Sequence, residues 1–146
     1  MVTINLRMKK LHAIIVSRPG SWQKMLQYYI EEYPFVGVDH VASGGLSAIQ
    51  LVKDHQLDLL VIDSSIPFED VGVLVRSVKK MQPDMCVIVI VDTIKEGNKI
   101  SRAGADYAIS SCNFEMQISE ILNKINQNFS NYEVINEQDI HSNEQQ

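Results

Sequence analysis

Residues Cys86 to Val91 read CVIVIV, six positions without a charged or strongly polar side chain, five of them β-branched. A strand with one wet face alternates apolar and polar residues. An unbroken run of this kind suits a strand covered on both faces, the usual situation in a parallel sheet. Parallel neighbours cannot be joined by a tight hairpin, so each pair needs a crossover, normally a helix. This one segment therefore demands that strands and helices alternate along the rest of the chain.

They do. Residues 12–16 (HAIIV) form a β-branched run that stops at Ser17-Arg18-Pro19-Gly20. Residues 38–42, 57–63 (LDLLVID) and 107–110 supply three more short strands. Between the strands, apolar residues fall at helical spacing. After a Ser21 cap come Trp22, Met25, Leu26, Tyr29 and Ile30. After the turn Ser43-Gly44-Gly45 come Leu46, Ile49, Leu51 and Val52. Val71, Leu74, Val75 and Val78 form a third stripe, broken by Pro83-Asp84. A short helix over 96–102 ends at Gly104, a natural left-handed stop. Met116, Ile118, Ile121, Leu122, Ile125 and Phe129 mark a last helix. The expected fold is α/β: a flavodoxin-like five-stranded parallel sheet, order 2-1-3-4-5, with helices on both faces. The domain is placed at residues 1–130. Residues 131–146 (NYEVINEQDIHSNEQQ) read as a disordered, polar, acidic tail or linker.

Charge narrows the choice of function. The net charge is −5, and the tail holds four acids and no Lys or Arg, which leaves −1 for residues 1–130. A near-neutral domain offers no electrostatic reason to bind nucleic acid. No apolar run approaches the roughly 18 residues of a membrane span, and no signal peptide is visible at the start. The two cysteines, Cys86 and Cys112, have no metal-ligand spacing, so a reducing cytoplasm is expected. His12, His40, His55 and His141 are scattered and read as surface or strand-end residues. Trp22 and the tyrosines read as helix-packing groups.

In doubly wound sheets, ligands meet the carboxyl ends of the strands. Those ends carry Ser17 and Arg18, then Asp63 with Ser65 in the loop beyond it, then Asp92 and Thr93, then Ser111. Asp63 should stand at the centre of this crevice. It can be a nucleophile, a metal ligand or a capping group, and Arg18 can pair with it. Glu69, Asp70 and Asp92 are further candidate oxygens for a cation, with solvated loop acids as the bland reading. Thr93 is either a switch hydroxyl or a helix cap.

Four segments resemble one family, the receiver domains of two-component response regulators. DLLVIDSSIPFEDVG is similar to the segment that carries the phospho-acceptor aspartate, with a proline four residues later; Asp63 and Pro67 match it. AIIV followed by a polar turn resembles the first receiver strand. Gly45 to Ala48 matches the Gly-x-x-Ala that opens the second helix, and AGAD at 103–106 resembles the segment before strand 5. The likeness covers roughly residues 10–127.

The departures define what kind of receiver is implied. The family usually places two acids after strand 1 to hold Mg²⁺; this chain has Ser17 and Arg18. It usually ends strand 4 with Thr or Ser; here Val91 or Asp92 falls there, with Thr93 the nearest hydroxyl and the following loop shortened. It usually has Lys after strand 5; here Ser111 stands in that place. Phosphoryl transfer to a carboxylate needs its charge neutralised, normally by that metal and lysine. The implied protein is a pseudo-receiver, not an enzyme: a signalling interaction module with a histidine kinase or output protein as partner. Mg²⁺ binding is expected to be weak or absent. A homodimer through the last strand and helix is expected, with Phe114 and Phe129 half exposed at its edge. A working receiver phosphorylated on Asp63 is the alternative. A flavin-binding protein or small α/β enzyme is weaker, because no GxGxxG or GxxxxGK loop is present.

Overall fold

Twelve elements follow one another in the computed structural model, which describes residues 6–68, 70–128 and 132–134. In chain order they are β1 (Leu6–Met8), β2 (Leu11–Val16), α1 (Ser21–Glu31), β3 (Val36–Ala42), α2 (Gly45–Asp54), β4 (Leu59–Asp63), α3 (Val71–Met81), β5 (Cys86–Val91), α4 (Ile94–Arg102), β6 (Tyr107–Ser110), α5 (Phe114–Gln127) and β7 (Tyr132–Val134). Five strands form a parallel sheet in the order β3-β2-β4-β5-β6. Counting these five alone, that is the expected 2-1-3-4-5.

The sheet separates two apolar layers. Ile14, Val16, Leu60, Ile62, Val87 and Val89 point to one side and pack against Ala48, Val52, Leu74, Val78 and Ile100 of α2, α3 and α4. Ala13, Ile15, Val61, Ile88 and Ile90 point to the other and meet Leu26, Ile30, Ile118 and Leu122 of α1 and α5. β4 and β5 are therefore covered on both faces, which is why CVIVIV needs no polar alternation.

Two polar side chains stitch the amino edge of the sheet. The Gln82 amide donates to the carbonyls of Val52 and His55 and accepts from Leu57 N–H. Asp106, from AGAD, accepts from Val87 N–H at 2.7 Å and from Lys79 Nζ at 2.9 Å. The resemblance in that segment thus has a structural purpose: it starts β5 and ties α3 to the turn before β6.

Several boundaries move. β3 begins at Val36, because Leu11↔Val36 and His12↔Gly37 already pair. β4 begins at Leu59, since the Asp58 carboxylate turns back to accept His12 N–H at 2.8 Å. Ser21 is the first helical residue, not the cap; Gly20 holds the cap position, with φ 145° and no side-chain bond. Phe114 is not half exposed. It is 5% exposed, sealed under edge-on contacts from Trp22 and Tyr29 at 5.1 and 5.4 Å. Phe129 lies outside the described residues.

One pairing has no sequence signal. β1 and β7 form a separate two-stranded antiparallel sheet, with Leu6↔Val134 and Met8↔Tyr132 in register. Tyr132–Val134 belongs to the stretch read above as disordered tail, so for these three residues that reading is corrected. Residues 135–146 lie outside the described residues. Among the described residues no helix is long and apolar enough to cross a membrane.

Candidate functional site

Asp63 is the last residue of β4, opposite Ile90 of β5. Its backbone position is fixed by the ladder and by Ser64 N–H donating to the Ile90 carbonyl at 3.0 Å. The carboxylate sits at the mouth of the sheet, 9% exposed. One oxygen accepts Ser65 N–H at 3.1 Å, the local turn an aspartate makes with the backbone two residues on. Pro67 and Phe68 follow, and Phe68 lies flat over the start of α2. A Cβ on Gly45 would come within 2.1 Å of the Phe68 ring. The Gly of Gly-x-x-Ala is therefore required by the loop after Asp63, while Ala48 is fully buried in the core.

Ser17 leaves β2 with its N–H bonded to the Ala42 carbonyl at 2.9 Å and its side chain fully buried. Gln23 Nε2, in the first turn of α1, donates to the Ser17 carbonyl at 2.7 Å. Arg18 is exposed, and its Nε donates to the Ser65 carbonyl at 2.5 Å. The expected Arg18–Asp63 ion pair does not form; among the described residues none joins them. The guanidinium bridges from the β2 loop to the backbone of the Asp63 loop instead, because that carbonyl is the nearer acceptor while Asp63 turns toward its own Ser65 amide.

The remaining crevice residues form a second group. Ser111 Oγ donates to Asp92 Oδ1 at 2.7 Å, tying the β5 and β6 loops together. Thr93 is the cap of α4, its Oγ1 accepting Glu96 N–H at 3.1 Å. The loop is two residues, Asp92 and Thr93, between β5 and α4. Beside it lies a cleft of about 290 Å³ lined by Thr93, Gly97, Asn98, Ser110 and Gln117 among others; Asp63 is not part of it. Gln117 Oε1 accepts Ser110 N–H at 2.8 Å. Among the described residues no hydrogen bond joins this group to the Ser17–Arg18–Ser65 group.

Asp70 caps α3, accepting Gly72 N–H at 2.8 Å, with Lys99 Nζ at 3.6 Å. Desolvation pushes its pKa up, but the Gly72 amide and the Lys99 charge outweigh that and hold it below the usual carboxylate value. Its oxygens are thus committed to α3 and α4. Glu69 lies outside the described residues. Gln23, Gln117 and Phe68 escape sequence reading, since each contact joins segments whose approach only the folded chain defines.

No protein-family model matches this chain. Over 96 residues, 64% of its length, it is 29% identical to a protein of Priestia megaterium described as the probable C4-dicarboxylate response regulator DctR. The match spans 42% of that protein's length. The response regulator domain of Thermotoga maritima CheB superposes with a TM-score of 0.68 at 20% identity, covering 84% of this chain and 99% of the other. A CheY-like receiver domain protein from Methanospirillum hungatei JF-1 gives 0.66 at 16% identity, covering 83% and 100%. The isolated REC domain of RcsB from Salmonella enterica serovar Typhimurium gives 0.72 at 13% identity, covering 82% and 90%. Strand order and these likenesses agree on the architecture: the chain has the flavodoxin-like, CheY-like fold seen in response-regulator receiver domains.

Proposed function

We propose that this protein acts in two-component signalling as an atypical receiver, whose main output is a protein–protein surface and not an Mg²⁺-dependent phosphorylation cycle. The observation that carries this reading is the company Asp63 keeps. The positions after β2 are filled by a buried serine and by an arginine held on the Ser65 carbonyl. A hard divalent ion wants several oxygens, mostly carboxylate and water. Among the described residues, Asp63 is the one acid on its side of the crevice, Asp92 is engaged by Ser111, and Asp70 caps α3. Among the described residues no three His, Cys, Asp or Glu side chains gather as metal ligands. This donor set does not fit Mg²⁺.

The surface assigned to partners is that of α4, β6 and α5. Its apolar anchors are Ile94 and Met116, 86% and 66% exposed, rather than the buried Phe114. Exposed apolar side chains of that size supply contact area to an interface. A kinase, an output protein or a second copy of this chain is the proposed partner. The site of action is the cytoplasm.

The test is treatment with acetyl phosphate, with and without Mg²⁺, read by intact mass. The expected result is no phosphate adduct. A stoichiometric, Mg²⁺-dependent adduct that vanishes in Asp63→Asn would establish the working receiver instead. That second reading is favoured by one observation, the placing of Asp63 at the carboxyl end of the central strand.

A further inference from the structure

His40 and His55 are 15 positions apart in sequence, yet their rings stack with centroids 4.6 Å apart and planes tilted by 39°. His40 stands in β3, the edge strand of the sheet, paired with Ile14. His55 is the residue that ends α2. Both backbones are held. His55 N–H donates to the Leu51 carbonyl at 3.0 Å, and its own carbonyl accepts from Gln82 Nε2 at 2.6 Å. His12, by contrast, has its ring Nδ1 against Asp39 Oδ2 at 2.8 Å. Among the described residues no hydrogen bond reaches the ring of His40 or of His55. Two exposed imidazoles, fixed at the backbone and with uncommitted nitrogens, therefore face each other where the β3 edge of the sheet meets the end of α2.

We propose that His40 and His55 form a two-imidazole site for a first-row transition-metal ion, with water completing its coordination. Imidazole nitrogen suits Cu²⁺, Ni²⁺ and Zn²⁺, whereas Mg²⁺ prefers oxygen. Metal–nitrogen bonds of about 2.0–2.1 Å place two ligating nitrogens roughly 3–4 Å apart. Rings whose centroids lie 4.6 Å apart, tilted by 39°, are close enough for rotation about the side-chain torsions to bring a nitrogen of each toward one ion. A cleft of about 340 Å³, lined by Lys53, Asp54, His55, Met81 and Gln82 among others, opens on the His55 side of the pair. The site shares no residue with the Asp63 crevice and does not rest on the function proposed for it.

The experiment is calorimetric titration of the full chain with Cu²⁺, Ni²⁺, Zn²⁺ and Mg²⁺, on the wild type and on His40→Gln, His55→Gln and His12→Gln. Circular dichroism checks that each variant is folded, and the Cu²⁺ resonance spectrum reports nitrogen ligation. Expected is one equivalent of Cu²⁺, bound more tightly than Ni²⁺ or Zn²⁺, and no heat from Mg²⁺. His40→Gln and His55→Gln should each lose on the order of 10-fold or more in affinity, as removal of groups in a metal's ligand shells does, and His12→Gln should lose nothing. Absence of Cu²⁺ binding overturns the proposal. So does a loss in His12→Gln as large as that in the other two, or retention of full affinity in both His40→Gln and His55→Gln.

Discussion

Cys86 and Cys112 show how environment separates two identical side chains. Cys86 is partly buried at the start of β5, and Cys112 is exposed in the loop before α5. Desolvation, reinforced by Asp106 and opposed by Lys79, pushes the Cys86 thiol up to about 12. Because the thiolate is the reactive form, iodoacetamide at pH 8 should add one adduct to the folded protein, at Cys112, and two after unfolding; two rapid adducts on the folded protein would refute this. The linkage has a definite sign. The raised value means the folded state holds that proton more tightly than the unfolded chain, whose thiol titrates near about 8.5. The stabilisation is full below that pH and is lost as pH rises toward 12, so Cys86→Ala should flatten the alkaline fall in melting temperature. Gly45 is a second residue with one decisive neighbour. Gly45→Ala forces its Cβ into the Phe68 ring, and overpacking of this kind costs typically about 1–3 kcal/mol. Adding Phe68→Ala should return much of that loss, a coupling that denaturant melts of the double-mutant cycle would measure.

At the level of the element, α3 depends on its cap. Asp70→Ala removes the oxygen that accepts Gly72 N–H and the partner of Lys99, and so should lower the melting temperature. Since the folded-state pKa of Asp70 is lowered, its contribution is present above the ordinary carboxylate value and disappears as pH falls through the lowered one. Asp70→Asn should therefore lose less stability than wild type on acidification from pH 5; an unchanged acid limb in urea melts would count against the Lys99 contact. The outer edge of α4 and α5 is a different kind of feature. Ile94 and Met116 contribute little to the core, so Met116→Asp should leave the melting temperature within about 2 °C, given that surface changes are usually within about 0.5 kcal/mol. If the proposed partner surface is right, the same variant lowers self-association or partner retention on a sizing column.

Across the whole molecule, the central strands carry the stability. Leu60 is fully buried between β2, β5 and the helices on its side, and truncating a leucine there costs about 2–5 kcal/mol. Leu60→Ala should unfold cooperatively at markedly lower urea with an unchanged m-value, whereas a broadened transition would mean that the two faces of the sheet unfold separately. Much of this architecture is legible in the chain itself. CVIVIV marks a doubly covered strand because six residues without strong polarity cannot face water, and the spacing of Leu74, Val75 and Val78 marks a helix face because 3.6 residues make a turn. Asp63 at the mouth of the crevice follows from the same reasoning, since a strand that ends in a carboxylate at the carboxyl edge of a doubly wound sheet has one place to put it. What the chain could not disclose are contacts between distant segments: Arg18 choosing the Ser65 carbonyl over Asp63, Phe68 covering Gly45, Phe114 closing under Trp22, and β7 finding β1. Each depends on distances of a few ångströms between loops whose paths are set only once the sheet has twisted and the helices have packed. Local sequence periodicity determined which residues are buried and in which elements; tertiary packing alone decided which polar groups meet, because a hydrogen bond is made or missed within less than an ångström.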